Sequence, residues 1–183
     1  LAGVQEAHGG ITEILDNNEN FVKYNSLDNA KNNGISFVSG DRKKEGILPN
    51  LSIYENLVVP LYKKTSRGGF LGFVDWLELN GIFDWEVDRL SIKTGPRDNL
   101  IGSLSGGNQQ KVMIARSFAQ HPKVLILNDP ARGIDVSTKR DLYTHLRNYV
   151  EEGNTVVFLS SELEEFIGLC PKVMVFRNGT VFD

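Results

Sequence analysis

Leu104–Pro130 reads "LSGGNQQKVMIARSFAQHPKVLILNDP", and its two halves decide what kind of fold the chain can adopt. The first half sets a serine, two glycines and three side-chain amides at the mouth of an amphipathic helix. The second contains "KVLILN" (123–128), a short apolar run of the kind that forms a strand covered on both faces. A helix feeding such a strand is the building unit of an α/β fold with a mostly parallel sheet. The first N–H groups of a helix have no intrahelical partner and carry the positive end of its dipole. Glycines there let backbone donors close on an anion, and Ser105 adds a hydroxyl, so a phosphate is the object this tip could grip.

Outward from that unit the same alternation continues. "ISFVS" (35–39), "TVVFLS" (155–160) and "KVMVF" (172–176) read as further covered strands. Ser52-x-x-Glu55 is a capping box that starts a helix in "SIYENLVVPLY", and Ser161-x-x-Glu164 is a second box that starts a short helix after 155–160. From Ser137 onward Leu142, Leu146, Tyr149 and Val150 fall on one helical stripe that Gly153 ends. Asn178-Gly179 predicts a tight hairpin. The stretch 63–103 breaks the alternation. It runs from the Gly-rich loop "KKTSRGGFLGF" through a helical segment with Trp76, Leu79, Ile82, Phe83, Val87 and Leu90 to the loop "KTGPRDN", and reads as a small helical insert.

Composition bounds the function. The 183 residues are 40% hydrophobic, enough for a proper core in one domain with or without a subdomain. Lys and Arg number 20 against 23 Asp and Glu, so no nucleic-acid backbone or anionic lipid surface is expected as the main partner, and any phosphate must be held locally. The single cysteine, Cys170, fits a reducing compartment, with the cytoplasm as the default. No apolar run approaches the roughly 20 residues that span a bilayer. The chain starts without Met in what reads as mid-strand, and the expectation is therefore a fragment or half of a longer polypeptide.

The motifs, taken in order, resemble those of ABC-type ATPase domains. "LSGGNQQ" is similar to the signature motif, "VLILNDP" to the Walker B strand, "RGIDVSTK" to the D-loop, and "VVFLSSELEE" to the strand and switch position that follow. "SGDRKKEGILPNLSIYENL" and "LSGGNQQKV" are similar to the sugar-uptake class, of ribose, galactose and xylose type, whose ATP-binding subunit carries two such domains in tandem; this chain resembles the second. The resemblance covers residues 1–183 and implies an α/β, P-loop NTPase-like fold, a mostly parallel sheet flanked by helices. It makes 1–183 a single nucleotide-binding domain, incomplete at its N-terminus, with a helical subdomain at approximately 63–120.

The resemblance also implies roles. Ser105, Gly106 and Gly107, with Gln109, would contact ATP held by the opposite domain of a head-to-tail pair, and Asp135 would lie at the same interface. Asn128 stands where the family places its magnesium-holding aspartate, Asp129 in place of the catalytic glutamate, and Ser161 at the switch position. A Walker A loop, G-x-x-x-x-G-K-[ST], wraps phosphates with glycine amides and neutralises them with lysine. Anchored on Gly10 and Thr12, this chain shows Gln5 for the first glycine, His8 for the middle one and Ile11 for the lysine. Gly10 and Thr12 remain nucleotide candidates, and Thr12 with Asn128 the candidate magnesium ligands. A neutral amide is a poorer partner for a hard dication than a carboxylate, and Asp129 is one methylene short. The expectation is therefore a domain with a weak or inactive site of its own that serves a partner's Mg-ATP.

The implied partners are another ABC ATPase domain, membrane permease subunits and, indirectly, a periplasmic or extracellular sugar-binding protein, with no nucleic acid. The implied place is the cytoplasmic face of the membrane, peripherally bound. A non-hydrolysing scaffold of the same complex is the alternative, and a soluble ABC-type protein acting on DNA or ribosomes is disfavoured by the acidic balance. His8, His121 and His145 show no metal-ligand spacing. Arg42-Lys43-Lys44 reads as a solvated loop or as a patch for an acidic partner surface, Trp76, Phe83 and Trp85 as core of the insert, and Cys170 as a small buried apolar residue.

Overall fold

The computed structural model describes residues 13–15, 21–23, 26–62, 66–67, 73–178 and 180–182. Its centre is a parallel sheet of β3 (Ile35–Val38), β6 (Val124–Asn128) and β7 (Thr155–Leu159) in the order β3-β6-β7. Ile35 pairs with Val124, and Val124 with Thr155. β6 lies between its neighbours, which is why Leu125, Ile126 and Leu127 are all buried. Successive side chains point to opposite faces. Leu125 and Leu127 enter the main core, while Ile126 joins Ile35 and Ala30 in a second, smaller core under α1 (Leu27–Asn32).

The three expected strands at 35, 123 and 155 are thus present, with one correction to their coverage. Val156 and Phe158 of β7 pack on the main core and Val157 on the smaller one, but Thr155 and Leu159 are exposed, because β7 is the outer strand of the described sheet. α5 (Val136–Glu151) makes the crossover between β6 and β7. Leu142, Leu146 and Tyr149 are buried on its inner stripe, and Gly153 follows its end at φ +90. Val150, expected on that stripe, is 48% exposed.

The crossover from β3 to β6 carries a helical layer. α2 (Ile53–Val58) packs against both α3 (Trp76–Arg89) and α4 (Gly106–Phe118). The expected capping box forms in full: Ser52 Oγ accepts from Glu55 N, and Glu55 Oε2 accepts from Ser52 N at 2.8 Å. Ser52→Ala should cost about 1 kcal/mol of stability in urea unfolding, since it removes the hydroxyl that accepts from Glu55 N and donates to Glu55 Oε2 at the first turn of a helix buried at Ile53, Leu57 and Val58. The loop "KTGPRDN" is pinned to the same turn, Ile53 N donating to Asn99 O and the Arg97 guanidinium lying 5.0 Å over Tyr54.

Several expectations are corrected. Leu79, Phe83, Glu86 and Leu90 mark the inner stripe of α3, so Trp85, about half a turn round from Phe83, is 68% exposed; Trp76 overhangs the first turn at 56%, edge-on to Tyr62. In the Gly-rich stretch read as a loop, β4 (Ser66–Arg67) pairs with β5 (Phe73–Val74), and β1 (Glu13–Leu15) pairs with β2 (Phe21–Lys23) where no hairpin was expected. "KVMVF" does not join the parallel sheet. β8 (Val175–Arg177) pairs antiparallel with β9 (Thr180–Phe182), because Asn178, at φ +51, turns the chain back on itself as its dipeptide predicted. The second capping box is not made: the 3-10 turn Leu163–Phe166 has no side-chain cap, and Ser160 Oγ, not Ser161, accepts from Glu162 N.

Candidate nucleotide-contact site

Ligands of open α/β sheets bind beyond the carboxyl ends of the strands, and three candidate residues meet there. Asn128 ends β6, with its backbone O and side-chain Nδ2 3.0 and 3.3 Å from the point where a Cβ on Gly40 would stand. A larger residue after β3 would press on Asn128 and force it to give by a few tenths of an ångström. Asp129 follows in the left-handed region at φ +43, its N–H donating to Leu159 O of β7 at 2.8 Å. That turn aims Oδ1 at Ser161, whose N–H donates to it at 3.3 Å. Asn128, Asp129 and Ser161 are therefore brought into one cluster.

A second cluster forms at the tip of α4. Ser105 is the N-cap residue and is exposed; its Oγ accepts from Asn108 N and, at 3.0 Å, from Asn108 Nδ2. The amides of Gly106 and Gly107 have no acceptor among the described residues. A Cβ at Gly107 would lie 3.7 Å from Thr138 Oγ1 and 3.8 Å from Asp135 Oδ2, so the tips of α4 and α5 abut. Asp135 caps α5, accepting from Ser137 Oγ, Thr138 N and Thr138 Oγ1. Those bonds, the one from Ser137 foremost, hold its carboxyl well below the usual carboxylate range. Gln109 turns inward instead: its Nε2 donates to Leu104 O at 3.0 Å and Ile101 O at 3.4 Å, bracing the loop that leads into the helix.

Gly10 and Thr12, with Gln5, His8 and Ile11, lie outside the described residues. Residues 3–132, more than half the chain, match the family model described as ABC transporter. The chain belongs to the ABC transporter family. The ABC domain is 35% identical over 181 residues to the ribose import ATP-binding protein RbsA of Roseobacter denitrificans, a match spanning 99% of this chain and 34% of the relative. It is 38% identical over 175 residues to RbsA of Bacillus cereus (92% and 35%) and 34% identical over 180 residues to the uncharacterized ABC transporter ATP-binding protein YphE of Escherichia coli (98% and 35%). It thus spans about a third of the length of these relatives. Among solved structures, the ATP-binding cassette MJ0796, dimeric in a post-hydrolysis state bound to ADP and Pi, superposes with a TM-score of 0.70 at 23% identity, over 90% of this chain and 68% of that one. The likeness shows the shared fold.

Within the ABC domain, the motif reading missed the network that joins the two clusters. Lys139, one turn into α5 from Asp135, donates to Glu165 Oε1 at 2.7 Å and Glu162 Oε2 at 3.0 Å, just past Ser161; Ser160 Oγ donates to Glu165 Oε2 at 2.6 Å. Burial alone would push the Glu165 carboxyl up, but the bonds from Lys139 and Ser160 bring it below the usual range, and Glu165 in turn raises Lys139. A depressed carboxyl contributes stability that is present above its unfolded value and lost as pH falls through the folded one. Lys139→Met should therefore destabilise the domain most at pH 7–8 and progressively less below about pH 4, read by denaturant unfolding across pH. The only sequence signal was the Glu-rich run after "SS", with nothing to say which cation it would meet.

The described part of the strand-end cluster is a poor match for magnesium, with Thr12, the other candidate ligand, lying outside the described residues. Among the described residues no group of three or more His, Cys, Asp or Glu side chains converges, and the strand-end cluster offers one neutral amide and one carboxylate that already accepts from Ser161 N.

Proposed function

We propose that this chain is the ATP-binding domain of a ribose-type sugar importer and that it acts mainly on nucleotide held by a partner ATPase domain. The partner domain holds Mg-ATP, and the tip of α4 closes over its terminal phosphate with Ser105 Oγ and the free amides of Gly106 and Gly107. Asp135, packed against that tip, belongs to the same contact. Closure moves membrane permease subunits fed by a sugar-binding protein outside, so the domain sits peripherally at the cytoplasmic face. No helix among the described residues is long and apolar enough to cross a membrane.

The observation that carries this reading is the pair of amides without an acceptor among the described residues, beside an exposed cap serine whose hydroxyl accepts from Asn108 and keeps its proton for a ligand. The domain's own site is weak: Asn128 brings no charge, and Asp129 is short and already bonded. Hydrolysis by this chain alone should be at background, rising when a domain with an intact G-x-x-x-x-G-K-[ST] loop is added. Robust magnesium-dependent turnover by the chain alone, abolished by Asp129→Ala, would overturn the assignment of weakness.

A further inference from the structure

The run Arg42-Lys43-Lys44 does not behave as a solvated loop at its first residue. Residues Arg42–Gly46 form a single π-helical turn, a rare geometry that concentrates at functional sites, capped by Asp41 whose Oδ1 accepts from Lys44 N at 3.1 Å. Two arginines tie this turn to α4 in opposite senses. Arg42 Nη1, from the start of the turn, donates to Gly106 O at 2.9 Å, the first carbonyl of α4. Arg116 Nη2, from the last turn of α4, donates back to Gly46 O at the end of the turn. Gly46 is buried against the end of the Met113 side chain, and a Cβ there would stand 2.6 Å from Met113 Sδ, so the turn lies flat on the helix and a side chain at 46 would displace Met113. Arg42 is half-buried, and its Nε is fully buried and meets no acceptor among the described residues, so that nitrogen has given up hydration to sit where it does.

We infer that Arg42 is a positioning residue for the signature tip: through Gly106 O, which shares a peptide plane with the Gly107 N–H, it sets the direction of that amide, and it makes residues 39–46 and α4 move as one piece. The inference rests on the proposed trans contact for its catalytic consequence, but the tether itself belongs to this chain alone. The same segment reaches the strand-end cluster, where Gly40 lies against Asn128, so a displacement at the end of β3 reaches the tip through Arg42. A guanidinium's planar fork suits this task, and a lysine ammonium, a point charge on a flexible stem, does not reproduce it.

The test compares Arg42→Ala and Arg42→Lys with the parent in the assembled ATPase and in this chain alone. In the assembly both should lower kcat by at least about tenfold while KM for ATP stays within about twofold, because the tip engages only at closure. Methylguanidinium should restore part of the loss in Arg42→Ala but none in Arg42→Lys, and Arg42→Ala should add little to Ser105→Ala. In the chain alone, hydrogen exchange should rise at Glu45, Ile47 and Gln109, the amides that close the turn and open α4, and stay unchanged in α5. Unchanged kcat in both variants, or a loss that methylguanidinium does not touch and that follows only a lowered Tm, would overturn the inference. If exchange rises as expected but Ser105→Arg leaves hydrolysis intact, the trans reading fails and the tether stands.

Discussion

Ser105→Arg is expected to lower hydrolysis at the partner's site by about 100-fold or more, with nucleotide binding to the partner nearly unchanged. Ser105 is the exposed N-cap of α4, so its side chain occupies the space a phosphate would enter. Arginine there removes the hydroxyl, loses the bonds from Asn108 that fix the first turn, and fills the approach to the Gly106 and Gly107 amides. Removing one preorganised donor from a developing anion commonly costs about 100- to 1,000-fold in rate. Ser105→Thr, which keeps an acceptor and a hydroxyl, should retain most activity. Single-turnover hydrolysis in the assembled ATPase reads the effect. Transport and hydrolysis both intact in Ser105→Arg would favour the scaffold alternative.

The second large effect is on stability. Glu86 of α3 is 1% exposed, with Oε1 3.6 Å from Arg89 Nη1 and Oε2 buried without a partner among the described residues. Arg89 is shared: it lies 3.9 Å from Glu152 and 4.5 Å over the Phe118 ring. Burial dominates, so the Glu86 carboxyl is pushed up to about 7 despite Arg89, with Glu152 adding to the rise. A carboxyl raised on folding takes up a proton more readily in the native state than in the unfolded one. Stability from this group is therefore full near pH 4 and falls as pH climbs from 4.5 through about 7, by about 3 kcal/mol in total. Glu86→Gln should stabilise the domain by up to about 3 kcal/mol at pH 8 and hardly at all at pH 4, Glu152 still pairing Arg89. Urea midpoints of variant and parent at both pH values decide it. A variant no more stable at pH 8 would show that Arg89 fully compensates the buried charge.

Local signals carried far into this structure, and long-range ones did not. The apolar runs at 35, 123 and 155 form strands because continuous Val, Ile and Leu suit a sheet sandwiched between layers, and Ser52-x-x-Glu55 forms its box because both bonds lie within one turn. Ser161-x-x-Glu164 has the same pattern and makes no box, because Ser161 N–H is taken by Asp129 across 32 positions of chain. The tip of α4 and the cap of α5 were both readable as helix starts, but their contact at Gly107 depends on how the two crossovers return to the sheet. Arg42 looked like one more loop cation, since its partner is a backbone carbonyl 64 residues away with no side-chain signature at all. Lys139 and Glu165 were hidden for a similar reason, being paired by packing across two elements.

The most direct measurement is a structure of the assembled ATPase trapped with a non-hydrolysable ATP analogue and read at the tip of α4. The account predicts Ser105 Oγ and the Gly106 and Gly107 amides within about 3 Å of terminal phosphate oxygens held by the partner domain. A tip facing solvent, or closed on nucleotide bound by its own chain, would contradict it.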